Sequence, residues 1–526
     1  MPSQIVDAVG AVSSGHAGPV VLDGIGLRVE DVVSLADGTA RPEPGTDAMK
    51  RVAESWDAAR QIAATGRVYG RSTGVGANRN EDVPTEAAAE HGLRLLRSHA
   101  GAIGEELPAR QVRALLAVRA NQLLAGGAGL RPTMVTALCE ALESGAYPVV
   151  NEFGSVGTGD IAALAQVGLA LAGEHPWRAA GFSGTGHASG EPQGVVGEPQ
   201  SVVGAPEPQH LDNNDALAFI SSNALTLAQA ALALHELRRL LEATQVVGAL
   251  SLLAIDGAHE AYAAPVHAAR PHRGSIEVAH RMRELIGAPD RPAPPLGRIQ
   301  DPYGFRCLPQ VHGPAHDAAD ALEEVVAIEI NAAAENPLIA ADDMAAYHHG
   351  GFYQAQLALA LDHFRLALTQ VARLSTSRLS TLNEPAYTRL RPFLADHEPA
   401  SSGIMILEYA AGAALGDLRA FSAPASLGHA VLSRGVEEQA SFASLAARQT
   451  LRACGAYRLV VGCELVAAVR ALRQRELRPD PDLPVGRALE LALSVLNEEQ
   501  ADRPLTDDVT AAAALLDRFT DIWRGE

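Results

Sequence analysis

The sequence is poor in cysteine, in aromatic residues and in positive charge. Its 526 residues include four cysteines, 4% aromatic residues, and 42 basic against 62 acidic side chains, for a formal net charge of −20. Nucleic acids and anionic membranes bind basic surfaces, so neither is expected as a partner. The cysteines form no CxxC pair, which argues against a disulfide or metal-thiolate framework.

Signals for secretion and for a membrane span are also missing. Residues 1–7, MPSQIVD, contain neither the basic region nor the apolar core of a signal peptide. The longest apolar run that we identify, from Ile161 to Gly173, is shorter than the ~20 residues that cross a bilayer. With 47% hydrophobic residues the chain can build a large core. We expect a soluble cytoplasmic enzyme that acts on small molecules.

Helical periodicity dominates the chain. Stretches rich in alanine and leucine predict long helices at 315–334, 353–382, 404–422, 436–477, 484–498 and 507–524. We therefore expect a mainly α fold, with a smaller N-terminal domain over 1–209 and a bundle of long helices over 210–526. The segment 177–209 is rich in Gly and Pro and repeats Gly-Glu-Pro-Gln, which is typical of a flexible insertion.

A glycine-rich loop with a single tyrosine lies near the N-terminus. Residues 69–76 read YGRSTGVG, beginning with Tyr69. Such a loop alone is typical of a flexible turn. It lacks the strand-to-helix context of a dinucleotide site and the lysine of a phosphate-binding loop, so neither nucleotide site is expected.

An arginine stands beside a tyrosine in the proline-bounded segment 300–310, QDPYGFRCLPQ. The guanidinium of Arg306 could hold a carboxylate in a bidentate fork, while the phenol of Tyr303 donates a hydrogen bond or moves a proton. The alternative is a structural salt bridge of Arg306.

Two histidines in the next segment have the spacing of a helical metal site. His312 and His316 are four residues apart. Gly313-Pro314 between them should break the helix, however, and no third ligand is evident. We expect no metal.

These motifs together resemble the aromatic amino acid lyase family, which includes histidine, phenylalanine and tyrosine ammonia-lyases and aminomutases. In that family a loop Gly-Ser-Val-Gly-Ala-Ser-Gly-Asp supplies an Ala-Ser-Gly triad that cyclises and dehydrates to a methylidene-imidazolone. Residues 154–160 here read GSVGTGD. Counted back from Asp160, the triad positions hold Gly157, Thr158 and Gly159, and one residue is missing upstream.

The changed triad keeps the groups that ring formation needs. Gly159 retains the residue whose nitrogen must approach a carbonyl without a Cβ in the way. Thr158 retains a hydroxyl to eliminate. The product would be an ethylidene, whose additional methyl group costs roughly 1–3 kcal/mol in a tight site. A self-made imidazolone is therefore chemically possible, and no external cofactor is expected.

The resemblance also implies roles for the other motifs. Tyr69 matches the mobile catalytic base and Arg306 the residue that holds the substrate carboxylate, with Tyr303 assisting the proton transfer. The further matches to substrate-binding positions are His99, Ser221, Gln300, Phe352 and Glu437. Ser221 stands where the family has an active-site asparagine, and His99 favours a histidine or tyrosine side chain in the substrate. Glu437 could instead be a helical charge that faces solvent.

Three functions stay open at this point. The first is an ammonia-lyase or aminomutase with an unusual self-made electrophile. The second is an imidazolone-free acid/base enzyme that performs an elimination, cyclisation or isomerisation in the same pocket. The third is a non-catalytic oligomeric scaffold. The family resemblance further implies a homotetramer whose active sites combine loops from three subunits, and a small substrate that carries a carboxylate.

Overall fold

Alanine and leucine recur with helical spacing through most of the chain, and the fold is mainly α, as predicted. The computed structural model describes residues 18–180, 202–295 and 297–524. They form two compact units that are interleaved along the chain. The first contains 18–154, 160–180, 202–228 and 330–352, and the second contains 155–159, 229–295, 297–329 and 353–524. The domain boundary expected between 209 and 210 stays a prediction.

The first unit is built around one buried helix. Its helices are α1 Val29–Asp37, α2 Thr46–Thr65, α3 Ala88–His99, α4 Ala109–Leu124, α5 Thr133–Ser144, α6 Ile161–Leu171 and α7 Ala216–Ile220. Helix α4 is buried from Val112 to its end, and α1, α2 and α5 pack against it. Gly38 and Gly145 end α1 and α5 in the left-handed conformation that glycine adopts without strain.

Every strand of the described residues lies in this first unit, in four two-stranded pairs. One pair is parallel, β1 Val20–Leu22 with β2 Pro42–Pro44. The antiparallel pairs are β3 Ile103–Glu106 with β5 Asn151–Phe153, β4 Ala146–Pro148 with β6 Trp177–Ala179, and β7 Leu338–Ala340 with β8 Ala345–Tyr347. The β7–β8 pair lies within residues 335–352, a segment that belongs to the candidate site described below. Of the predicted insertion 177–209, residues 181–201 lie outside the described residues.

The second unit is the predicted bundle. Helix α8, Ala224–Ala254, starts in the first unit and supplies the first helix of the second. The others are α9 Ala264–Ala268, α10 Arg273–Ile286, α11 Tyr303–Arg306, α12 Leu308–Glu329, α13 Ala355–Leu382, α14 Pro385–Thr388, α15 Ile406–Phe421, α16 Ala443–Gln474, α17 Pro484–Val495 and α18 Thr506–Arg524. Helix α13 packs against α12, α15 and α16, and α16 also packs against α18.

Two expectations about helices were wrong. Helix α12 continues through Pro314. The proline removes one backbone hydrogen bond, and tight packing around this part of the helix offsets that loss. Gly313 provides the packing: a Cβ there would lie 2.5 Å from the backbone nitrogen of Ser275 on α10. The helix predicted over 436–477 begins only at Ala443.

The longest apolar helical stretch was also underestimated. It runs over Ala216–Ala254 and is long and apolar enough, by composition, to cross a membrane. However, 94% of its most apolar window is buried inside the protein. This burial is typical of a core helix.

Acid should destabilise this fold through a buried histidine on α12. Burial lowers the pKa of His316 to about 4, against an ordinary value of 6.5, and its Nε2 lies 2.9 Å from Gln245 Nε2. Between about pH 6.5 and pH 4, His316 is therefore protonated in the unfolded chain but not in the folded chain. The free energy of unfolding should fall by about 3 kcal/mol, at ~1.4 kcal/mol per unit of pKa, as the pH drops from 6.5 towards 4.

Urea unfolding between pH 4 and 7 tests this expectation. His316→Gln should remove the part of the pH dependence that His316 contributes and so make it less steep, and His397→Gln, at an exposed histidine, should leave it unchanged. An equally steep loss of stability in His316→Gln would contradict the assignment.

Candidate functional site

One turn of helix, α11, holds the predicted arginine and tyrosine together. The Arg306 guanidinium carbon lies 4.4 Å from the centroid of the Tyr303 ring, within the range of a cation–π contact. Tyr303 is 66% exposed. The Nε of Arg306 is buried without a hydrogen-bond partner, and within the described residues no carboxylate pairs with this guanidinium. The structural salt bridge considered from the sequence is therefore not formed there.

A buried ion pair lies directly beneath this turn. Arg378 donates to both carboxylate oxygens of Glu464, from Nε at 2.6 Å and from a terminal nitrogen at 2.8 Å, and both side chains are 0% exposed. Arg378 also donates to the Gly304 carbonyl at 3.2 Å, inside α11. Burial lowers the pKa of Arg378, but the charge of Glu464 and its hydrogen bonds, with smaller contributions from Tyr262 and Tyr457, together outweigh burial and leave the pKa raised.

Further hydrogen bonds complete the base of the turn. Ser251 and Ser375 donate to the Glu464 carboxylate at 2.7 and 2.5 Å. The buried Tyr262 hydroxyl donates to the Phe305 carbonyl at 2.8 Å, and burial raises its pKa, so it stays protonated. A Cβ on Gly304 would lie 3.0 Å from Arg378 Cγ, which explains the glycine. The backbone of α11 is thus held in place by buried hydrogen bonds, whereas the ring of Tyr303 is exposed and contacts only the Arg306 guanidinium among the contacts described above.

His312 is buried in the same region. Neither of its ring nitrogens has a hydrogen-bond partner in the part of the chain that the structure describes. Burial above all, then the charges of Arg378 and His316, hold the pKa of His312 well below its ordinary value. No cluster of three or more His, Cys, Asp or Glu side chains suited to a metal occurs among the described residues.

The altered triad loop is fixed to the start of α16. The Phe442 N–H donates to the Val156 carbonyl, and the hydroxyls of Ser441 and Ser444 donate to the carbonyls of Gly157 and Ser155, all at 2.9 Å. Gly157 has φ +90°, and a Cβ there would lie 2.3 Å from Ser441 Oγ. In this conformation the position accepts glycine and excludes the alanine that the family has.

A second serine bridges the two ends of the triad. Ser155 Oγ accepts from the Gly157 N–H at 3.1 Å and donates to the Gly159 carbonyl at 2.9 Å. Gly159 has φ +114°, a conformation that favours glycine. Thr158 between them is half-buried. The loop therefore combines a compact backbone with a central hydroxyl, as the ring-forming triad of the family would require.

Glu437 does not lie on a helix, so its reading as a helical surface charge was wrong. It forms an isolated antiparallel bridge with Leu432, ahead of α16, and is half-buried. Gln300, by contrast, is exposed in the loop before α11.

In the first unit, the hydroxyl of Tyr69 bonds to its own loop. The Gly76 N–H donates to the Tyr69 oxygen at 2.8 Å. A Cβ on Gly70, which has φ +71°, would lie 2.0 Å from Leu217 Cδ2, so this loop requires glycine there. Arg71 anchors the loop by donating to two backbone carbonyls, and burial lowers its pKa to about 10.

The segment 335–352 links the other predicted residues of this unit. The Asn336 N–H donates to Ser221 Oγ at 3.0 Å, and Asn223 Nδ2 donates to the Phe352 carbonyl at 2.7 Å. The Tyr69 ring meets the ring of His348 edge-on, with centroids 6.4 Å apart. Tyr69 and Ser221 therefore both contact the segment that ends in Phe352.

A buried ion pair supports this segment as well. Arg119 donates to Glu335 at 2.8 Å and to two carbonyls of α7, and burial lowers its pKa. His349 Nε2 lies 2.8 Å from the Glu335 carbonyl, and its Nδ1 accepts from the Gly351 N–H at 2.8 Å. The carbonyl can only accept, so the proton is on Nε2.

Sequence reasoning missed Arg119, Asn223, His348 and His349 as supports of the site. A signal existed only for the two histidines, which immediately precede the Gly-Gly-Phe motif that ends in Phe352.

His99, the last residue of α3, presents one free ring nitrogen. Its Nδ1 lies 2.8 Å from the Leu95 carbonyl, which can only accept, so Nδ1 carries the proton. The unprotonated Nε2 of a neutral ring is then a hydrogen-bond acceptor.

Comparisons with known proteins agree over nearly the whole chain. The family model for aromatic amino acid lyases matches residues 27–498. A histidine ammonia-lyase of Anaeromyxobacter sp. (strain K) is 33% identical over 506 residues, which cover 95% of this chain and 98% of that protein.

Two solved structures illustrate the structural similarity. The ergothioneine-degrading enzyme ergothionase of Treponema denticola, in complex with desmethyl-ergothioneine sulfonic acid, has a TM-score of 0.85 and 26% identity, covering 96% of this chain and 99% of that one. Histidine ammonia-lyase of Trypanosoma cruzi has a TM-score of 0.84 and 26% identity, covering 96% and 94%.

Breaking the ion pair beneath α11 should strongly destabilise the protein. Glu464→Gln leaves Arg378 as an uncompensated buried charge, and we expect it to lower the free energy of unfolding by about 3–5 kcal/mol. The double variant Arg378→Met with Glu464→Leu should recover much of that loss.

Urea unfolding measures both variants. As a control, Asp517→Asn breaks the partly exposed pair with Arg458 and should cost less than about 1 kcal/mol. Equal losses in Glu464→Gln and Asp517→Asn would show that the buried pair has no special role.

Proposed function

The chain belongs to the aromatic amino acid lyase family of carbon–nitrogen lyases, and on that premise we propose that it removes a β-proton and an amine from an α-amino acid or a related carboxylate. The state of Arg306 carries this proposal. Its guanidinium has no carboxylate partner in the described protein, its Nε is desolvated, and it stacks on a tyrosine. A buried donor without a partner is costly, and a substrate carboxylate would satisfy it.

Tyr69 is the proposed base. The Gly76 N–H donates a hydrogen bond to its oxygen and so positions that oxygen within the loop. A base of this kind can take the β-proton of the substrate, and in the proposed homotetramer the Tyr69 and Arg306 that act on one substrate would come from different subunits. Tyr303, whose ring is exposed beside Arg306, assists the proton transfer.

The remaining predicted residues would select the substrate side chain. The free Nε2 of His99 accepts a hydrogen bond, and Glu437 supplies a half-buried carboxylate. Both suit a polar ring, so we propose a histidine-like or tyrosine-like substrate over a phenylalanine-like one. Phe352 and Gln300 would complete the contacts with the substrate.

The loop residues fit a self-made imidazolone. Gly157 and Gly159 have the backbone freedom that the ring needs, Thr158 carries the hydroxyl, and Ser155 and Ser441 hold the carbonyls. When formed, such a group supplies an electrophilic carbon that activates the amine or the ring of the substrate.

A second candidate is the same elimination without an imidazolone. The observation in its favour is Ser221, whose hydroxyl is engaged by the Asn336 N–H, in place of the asparagine amide that the family has. Such chemistry suits a substrate with a better leaving group. Ergothioneine, the compound named for one structural relative, carries a quaternary amine and would need no electrophile. A bare scaffold, the third candidate, would gain nothing from an unpaired Arg306.

We also propose a cytoplasmic homotetramer. The support is physical: long helices of the bundle leave large apolar side chains exposed, among them Ile328, Leu359, Ile406 and Tyr409. Exposed apolar surface of this kind is typical of protein interfaces.

The intact mass of the purified protein tests the modification. A cyclised, dehydrated triad makes the protein two molecules of water lighter than its sequence. The near-ultraviolet band of the imidazolone should accompany that loss. A full sequence mass without the band would leave the second candidate as the function.

Turnover by active-site variants tests the elimination itself. Tyr69→Phe should lower kcat by on the order of 10²–10⁴-fold, because it removes the base. Arg306→Lys loses the bidentate pair, worth about 1.5–3 kcal/mol, and should lower kcat/KM by roughly ten- to hundredfold, mainly through KM. The control Arg487→Lys changes an exposed arginine of the same unit.

The assay uses histidine, tyrosine, phenylalanine and ergothioneine and follows the absorbance of the conjugated product. Undiminished turnover by Tyr69→Phe would refute the assignment of the base. If the wild-type protein turns over none of the four substrates, that result would count against the proposed substrate class.

A further inference from the structure

The carbonyl of Gly157 receives a hydrogen bond at the atom where ring closure would develop negative charge. Ser441 Oγ donates to it at 2.9 Å, and the Ala443 N–H at the start of α16 donates to the same Oγ at 3.3 Å. From this chain of donors we infer that Ser441 promotes cyclisation of the Gly157-Thr158-Gly159 triad. The inference rests on the self-made group of the proposed function.

The chemistry shows why this one hydrogen bond matters. The Gly159 nitrogen bonds to the Gly157 carbonyl carbon, and its proton moves to the carbonyl oxygen. That oxygen then leaves as water with the Thr158 amide proton. Thr158 finally loses its hydroxyl and its Cα proton as a second water. Both steps are redox-neutral dehydrations, so no oxidant or external reagent is needed.

Negative charge collects on the Gly157 oxygen while the carbon–nitrogen bond forms. A donor already aimed at that oxygen stabilises the transition state without reorganising, as in an oxyanion hole. The Ala443 N–H polarises the Ser441 hydroxyl and strengthens it as a donor. Both groups lie at the N-terminal end of a 32-residue helix, whose dipole also favours negative charge there.

The packing around Gly157 keeps the donor in place. A Cβ at this position would lie 2.3 Å from Ser441 Oγ and 2.7 Å from the Phe442 nitrogen. Ser155 holds the two ends of the triad together from the other side, through Gly157 and Gly159. Ser441 is thus a positioning residue that polarises the carbonyl, and Ser155 is the one that compacts the loop.

The experiment measures the intact mass of the folded fraction, isolated by gel filtration, immediately after purification and during further incubation. The wild-type protein should be two waters lighter than the mass of its sequence. Most molecules of Ser441→Ala should still have the full sequence mass, because loss of one such donor slows cyclisation by on the order of 10²-fold. Ser441→Thr keeps a hydroxyl and should regain the lighter mass.

Ser444→Ala is the matched control. It removes a hydroxyl that is also near the start of α16 but bonds to the Ser155 carbonyl, outside the triad. It should lose two waters to the same extent as the wild-type protein. Circular dichroism of each variant establishes that the bundle is folded.

Two outcomes would overturn the inference. In the first, Ser441→Ala loses two waters as completely as the wild-type protein does; in the second, the wild-type protein itself keeps the full sequence mass. Neither outcome refutes the proposed elimination, because turnover is measured separately. If turnover fails while the mass is two waters lighter in a Ser441-dependent way, the inference stands and the proposed substrate class falls.

Discussion

The buried ion pair between Arg378 and Glu464 is the interaction on which the candidate carboxylate site depends. It joins α13 to α16 in the middle of the bundle, and through Gly304 it fixes the short helix that carries Tyr303 and Arg306. Two serines complete the coordination of the carboxylate, so neither charge is left without partners. With its backbone held this way, a single turn of helix can present an unpaired guanidinium to a ligand.

The first unit repeats this arrangement around its own residues. Arg119 and Glu335 form the buried pair there, and Arg119 also donates to the carbonyls of Ala218 and Phe219, just before Ser221. In both units the buried ion pair positions backbone, through Gly304 in the second unit and through Ala218 and Phe219 in the first. Rigid support beneath a few available side chains is the arrangement that catalysis requires.

The departures from the family pattern are concentrated around the electrophile. The triad has lost one residue upstream and gained a threonine, and a serine replaces the asparagine at Ser221. In the structure each change fits its own surroundings: Gly157 is packed too closely against Ser441 for an alanine, and the Ser221 hydroxyl accepts a backbone hydrogen bond from Asn336. Arg306, Tyr69 and Tyr303, the residues proposed for carboxylate binding and proton transfer, are retained in the sequence. The proposed chemistry therefore differs from the family pattern mainly in the electrophile.

The sequence by itself determined the mainly α fold and the identity of the chemical groups, because helical periodicity and short motifs are local properties of the chain. Local patterns failed where packing overrode them. Helix α12 continues through Pro314 because Gly313 allows close contact with α10, and Glu437 lies outside α16. Only the tertiary structure decided which groups are free. The hydrogen bond from Ser441 to Gly157 and the buried ion pairs join residues far apart in the chain, and such contacts form only when the folded backbone brings them together. The same holds for Arg306, which has no carboxylate partner among the described residues.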